Sequence, residues 1–274
     1  MHDNVVLVIV VATALAFDFT NGFHDTANVV ATSISTRAMS PRLAIAFASA
    51  LNFVGAFLSL AVAATVANDV VAADVITPTI IFSGLIGATT WNLVTWYFGL
   101  PSSSSHALIG GVVGAAFAAA GAHAVLGDGL LGKVLIPALV APVLAFGVGL
   151  AGIVVCYRVL GSQRPGPVTR GFRLGQILSG GLLALAHGTN DAQKTMGVIT
   201  LALVANGNIA ADNFHVPSWV VIASASAIAL GTYSGGWRII RTMGTRIIKM
   251  DPAQGFSAQG AGAAVILASS HFGF

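Results

Sequence analysis

Several windows of about 20 residues contain no Asp, Glu, Lys or Arg, and roughly that length of apolar helix spans the ~30 Å hydrocarbon core of a bilayer. Only 8% of the 274 residues are charged and 56% are hydrophobic, where a soluble domain carries about 25% charged residues. Inside a bilayer a segment must satisfy its own backbone polar groups, so the apolar stretches at 4–36, 43–67, 79–99, 107–126, 134–160, 174–206, 217–237 and 255–274 are expected to be helices. The expected class is an all-α, polytopic integral membrane protein, with the lipid bilayer as its main partner. The start Met1-His2-Asp3-Asn4 has no basic region and no small-residue cleavage site follows, so the first segment is expected to be retained.

The pI near 9.4 does not point to nucleic acid, because the basic residues are grouped by loop. Arg37, Arg42, Arg158, Arg164, Arg170, Arg173, Arg238, Arg241, Arg246 and Lys249 fall in three loops, which the positive-inside rule makes cytoplasmic. Lys133, with Asp3, Asp69, Asp74, Asp128 and Asp212, falls on the other side, which puts the amino terminus outside. The single cysteine, Cys156, excludes an intrachain disulfide and a cysteine-based metal cluster.

Two stretches, 4–36 and 174–206, are too long for a simple span at 1.5 Å per residue, so an interruption is expected in each. Each carries a polar motif in its second half, NGFHDTAN at 21–28 and AHGTNDAQK at 186–194. A constant offset of 166 residues puts Gly22 on Gly188, Asp25 on Asp191 and Asn28 on Lys194. With five crossings between them the copies are inverted, an arrangement in which transporters bind substrate and ions near midplane, where helices are interrupted. The predicted architecture is a bundle of two inverted repeats with broken or re-entrant helices, divided as 1–160, an Arg-rich cytoplasmic linker at 161–173, and 174–274. The closing His271-Phe272-Gly273-Phe274 matches the Tyr97-Phe98-Gly99-Leu100 that precedes PSSSSH at 101–106, so a second serine motif is expected beyond Phe274.

Asp18, Asn21, Asp25, Asn28 and Thr32 step by 3, 4, 3 and 4, a single helix face. The second copy offers His187, Asp191 and Lys194, with Asn190 and Gln193 beside them. Ionisable groups at this depth cost several kcal/mol unless paired or hydrated, so they line pathways or bind ions. Interhelical hydrogen bonding would also place polar residues here, but carboxylates at equivalent repeat positions favour a pathway. His24 and His187 fit either role, and Asp18, which aligns with Ala184, is a supporting residue. In PSSSSH, Pro101 favours a break and the serines open a helix, where free N–H groups and hydroxyls suit an anion such as phosphate or sulfate.

NGFHDTANVVATSISTRAMSP at 21–41, FGLPSSSSHALIGG at 98–111 and AHGTNDAQKTMG at 186–197 resemble the Pit family of inorganic phosphate transporters, specifically its bacterial low-affinity members. The resemblance implies a multi-pass protein of the plasma membrane that imports phosphate, free or as a metal–phosphate, by alternating access with a symported cation. It implies that Asp25, Asn28 and Asp191 serve the cation and substrate region, with Asn21 and His24 beside Asp25. It implies phosphate contact by Ser102, Ser103, Ser104 and Ser105, with Thr26, Asn190, Gln193 and Lys194 in the matching motifs. Lys194 serves as a countercharge to Asp191 or contacts substrate. No cofactor is expected beyond the coupling cation, H+ or Na+; the HDTAN form resembles proton-coupled and metal-phosphate members, and a resident metal is left unassigned. Sulfate permeation and a passive channel are the competing transport readings. No enzymatic activity is expected, since the serines lack a nucleophile elbow. A homodimer is compatible with a transporter of this type.

Overall fold

The computed structural model describes residues 2–63, 70–72, 75–210, 213–247 and 249–271. Asp69, Asp74, Asp212 and the closing Phe272-Gly273-Phe274 lie outside them. The described elements are α1 (His2–Ser35), α2 (Pro41–Gly55), α3 (Pro78–Phe98), α4 (Ser104–Ala120), α5 (Ile136–Leu160), α6 (Pro165–Ala205), α7 (Ser218–Ser234), α8 (Trp237–Arg241) and α9 (Pro252–His271). Their ends follow local chemistry. Proline opens α2, α3 and α6, where a missing N–H costs nothing. Thr77 caps α3 by accepting from Ile80 N, and Gly99 ends it at φ 68°, a left-handed position that favours glycine.

Asn4–Ser35 and Gly127–Leu160 are each long and apolar enough to cross a membrane, and Ser218–Ser234 passes together with Trp237–Ile247 across a 53° bend. On α5, Leu139, Val143 and Phe146 are 75%, 69% and 70% exposed. They recur at one-turn spacing, an apolar face suited to hydrocarbon rather than water. Internal packing is carried mainly by branched residues: Ile81, Leu85, Leu108, Ile199 and Ile228 are fully buried, with the unbranched Met196 among them.

The helices break at the serine motif, as expected, but not at the two signature motifs. The two signature motifs lie within α1 and α6, which run unbroken for 34 and 41 residues. The expected linker residues 165–173 are the opening turns of α6, because Pro165 starts the helix and the arginines are good helix formers. Breaks come after Gly55, within the expected 43–67 segment, and at Gly235-Gly236, besides the one between α3 and α4 at the serine motif. Beyond the first of these, Val62 N donates to Gln193 Oε1 at 2.8 Å, so a side chain of α6 satisfies a backbone group freed there.

The glycines of the motifs are used for close crossings. An added Cβ at Gly22 would lie 2.9 Å from Thr232 N and against the Ile228 carbonyl, and one at Gly231 would meet the Phe19 carbonyl. The other copy repeats this: a Cβ at Gly188 would lie 2.6 Å from Asn52 Cα, and one at Gly55 would meet the Leu185 carbonyl. Phe19 and Leu185, like Gly22 and Gly188, are 166 residues apart. The motif helix of each repeat therefore crosses the second helix of the other, interlocking the two inverted repeats. Gly188→Ala is expected to destabilise the bundle by about 1–3 kcal/mol, read as a lower unfolding temperature in detergent, because backbone rather than a movable side chain blocks the methyl.

Candidate functional site

A cavity of about 640 Å³ lies where α1, the start of α4 and α6 meet, with residues of α5 and α9 on its far side. Asp25, Asn28, Ser102, Ser105, Asp191 and Lys194 all line it. Both signature motifs and the serine motif, separate in sequence, thus share one site.

Lys194, buried on α6, reaches Asp191 Oδ1 at 2.6 Å and Ser105 Oγ at 2.7 Å, and also donates to Asn190 Oδ1. Asp191 Oδ2 lies 3.1 Å from His187 Nε2, and the same nitrogen lies 3.9 Å from Asp25 Oδ2. These are ion-pair distances; His187 Nε2 is not aligned for a hydrogen bond. The ring is fixed from behind. Thr232 Oγ1 donates to Ile228 O, so it accepts from Asn52 Nδ2 at 2.7 Å, which turns Asn52 Oδ1 toward His187 Nδ1 at 3.3 Å. Nδ1 therefore carries a proton, and Nε2, facing two carboxylates, is favourable only as a second N–H.

His24 continues the network. Its Nδ1 lies 2.9 Å from Asp25 Oδ1, and its Nε2 lies 3.0 Å from Thr95 Oγ1 and 3.3 Å from Ser102 Oγ. Thr95 Oγ1 gives its own proton to Trp91 O, so it faces His24 Nε2 as an acceptor. The groups run Ser102, His24, Asp25, His187, Asp191, Lys194, Ser105: alternating imidazoles and carboxylates with the serine motif at both ends.

The serines divide their work. Ser103 caps α4 by accepting from His106 N at 3.2 Å, Ser104 is buried 3.5 Å from His24 Nδ1, and Ser102 and Ser105 meet the charged chain. Asn28 donates to Asp25 Oδ1 at 3.3 Å, and Asn190 donates to Ser270 Oγ at 2.9 Å. Five expected site residues are not among those lining the cavity: His24 and Ser104, placed above, and Gln193, Thr26 and Asn21. Gln193 is occupied by Val62 N and by Thr189 O. Thr26 donates to the Gly22 and Thr232 carbonyls, tying α1 to α7. Asn21 is buried beside Asp18. Thr95, Asn52, Thr232 and the cavity-lining Lys133 and Ser269 went unremarked in the sequence as site residues. For the first three the signal is a polar residue on an apolar helix, which carries no partner until the tertiary structure is known. Asp25, His187 and Asp191 bring one ligand atom each within 4.8 Å of one another, a set that suits a cation, although each already engages a neighbour.

Buried charged groups paired with one another inside an apolar helical bundle of interlocked repeats place the chain in the class of polytopic membrane proteins. The chain belongs to the phosphate transporter family, whose model, PHO4, matches residues 21–274. It is 54% identical over 98% of its length to a probable low-affinity inorganic phosphate transporter of Mycobacterium leprae, and spans 65% of that relative. It is 44% identical over 97% of its length to one of Bacillus subtilis, spanning 80% of it. Against the low-affinity inorganic phosphate transporter PitA of Escherichia coli the identity is 34% over 74% of this chain and 47% of that one. Among solved structures, a sodium-dependent phosphate transporter matches with a TM-score of 0.85 at 22% identity, over 97% of this chain and 85% of that one; that likeness concerns the fold.

Proposed function

We propose that this chain is the binding core of a multi-pass plasma-membrane protein that imports inorganic phosphate in symport with protons by alternating access. One observation carries the reading: a single cavity joins the serine motif to both aspartate motifs, with Lys194 fixed between Ser105 and Asp191. Phosphate would take donors from the serine hydroxyls, the amino terminus of α4 and Lys194. Asp25 and Asp191 would repel a bare anion, whereas Lys194 and a charged His187 already offset them. An entering phosphate therefore needs an added positive charge, and each ligand raises the other's affinity. The alternation of His24, Asp25, His187 and Asp191 supports protons as that charge.

Sodium is the second reading, supported by the sodium dependence named for the solved relative and by the spacing of Asp25, His187 and Asp191. Labelled phosphate uptake into proteoliposomes of the full-length protein separates the two. Accumulation under an inward proton gradient without sodium, resistant to excess sulfate, is the expected result. A requirement for sodium with indifference to the pH gradient would replace protons by sodium, and competition by sulfate would widen the substrate.

A further inference from the structure

One group of polar atoms lies outside the chain of charges. Asp18 on α1 is fully buried, and neither of its carboxyl oxygens meets a hydrogen-bond partner. Its polar neighbours are Asn21, one helical turn on, and Thr195 of α6. Both are buried, at 1% and 0% exposure, and Asn21 Oδ1 and Thr195 Oγ1 are likewise without partners. An ionised carboxylate left like this in a membrane interior costs several kcal/mol. A neutral acid does not, and its O–H has an unpartnered acceptor one helical turn on, Asn21 Oδ1.

The ionisable groups that face Asp18 are Asp191 and His187 of α6. Packed on α1, α3 and α7 contain no Asp, Glu, Lys, Arg or His. Arg42, Arg238, Arg241, Arg246, His106 and His271, on or beside other helices that pack on α1, are exposed. The carboxyl therefore sits beside the charged chain without belonging to it.

We propose that Asp18 is a second proton-binding site, a neutral carboxylic acid in this conformation, which takes its proton from water on one side of the membrane and releases it to water on the other. This rests on the proton-coupled reading above and adds one proton per cycle to it. The O–H bond forms and breaks at Asp18 alone, and phosphate takes no part in it.

Infrared spectroscopy of the full-length protein at neutral pH tests the site directly. A protonated-carboxyl C=O band is expected in wild type, in Asp25→Asn and in Asp191→Asn, and is expected to vanish in Asp18→Asn. Thr195→Val, which removes the polar neighbour that α6 supplies to Asp18, is expected to shift the band and gives a readout even where Asp18→Asn fails to fold. In proteoliposomes the limiting phosphate accumulation ratio is expected to fall about tenfold per unit of imposed pH gradient in Asp18→Asn, the factor carried by one proton. This limit does not depend on how fast the variant works. A band that survives Asp18→Asn, a band unmoved by Thr195→Val, or a limiting ratio equal to wild type would overturn the proposal. Should wild type itself accumulate nothing under a pH gradient, the proton-coupled reading fails and the infrared band alone decides for Asp18.

Discussion

Asp191→Asn in the full-length protein is expected to lower gradient-driven phosphate uptake at least a hundredfold. Asp191 holds Lys194 at 2.6 Å and His187 at 3.1 Å, all three buried. Removing one partner of a buried ion pair costs about 3–5 kcal/mol, because the other charge stays desolvated and uncompensated; that is roughly two to four orders of magnitude in an equilibrium constant. The loss has a direction. With Asp191 neutral, Lys194 and His187 present their charge to phosphate alone, so phosphate binding is retained while turnover is lost. Equilibrium binding measured beside initial uptake rates checks that split, and parallel loss of binding and uptake would mean that Asp191 is needed for the fold of the site.

Lys194→Met is expected to act in the opposite sense and weaken phosphate binding at least a hundredfold. Lys194 is the cation that touches both the serine motif and the second carboxylate. Truncating one partner of a buried, hydrogen-bonded charge pair costs about 2–5 kcal/mol, and the anionic substrate loses its nearest fixed positive charge as well. Lys194→Arg keeps the charge, but a planar fork does not reproduce three contacts radiating from one ammonium, so its affinity should fall between the two. Equal binding by Met and Arg variants would show that charge at this position is not what holds phosphate.

Much of the site was legible because its residues are expensive in a membrane: Asp25, Asp191 and Lys194 stand in apolar helices, and the 166-residue offset picks them out. Less legible was which way each polar residue faces. Asp18, Asn21, Asp25 and Asn28 share one stripe by spacing, yet only Asp25 and Asn28 line the cavity, because α6 supplies Thr195 against one end of the stripe and His187 against the other. Gln193 lies within the motif but serves Val62, 131 residues away in sequence, a partnership that depends on where a distant helix stops. The breaks expected within the two motif helices were misplaced for a related reason. Glycine in NGFHDTAN and AHGTNDAQK reads equally as a bend or a close crossing, and only the facing carbonyls of Ile228 and Asn52 decide for the crossing.

Occupation by phosphate of the cavity shared by the two aspartate motifs and the serine motif can be read from substrate protection of a cysteine placed in it. Cys156 is the chain's only cysteine, so a Cys156→Ser background leaves Ser269→Cys, on the far wall of the cavity, as the single reactive thiol among these 274 residues. Phosphate is expected to slow its modification by a water-soluble thiol reagent in a saturable manner, and to lose that effect when Lys194→Met is added. A modification rate indifferent to saturating phosphate in the otherwise unaltered site would contradict the account.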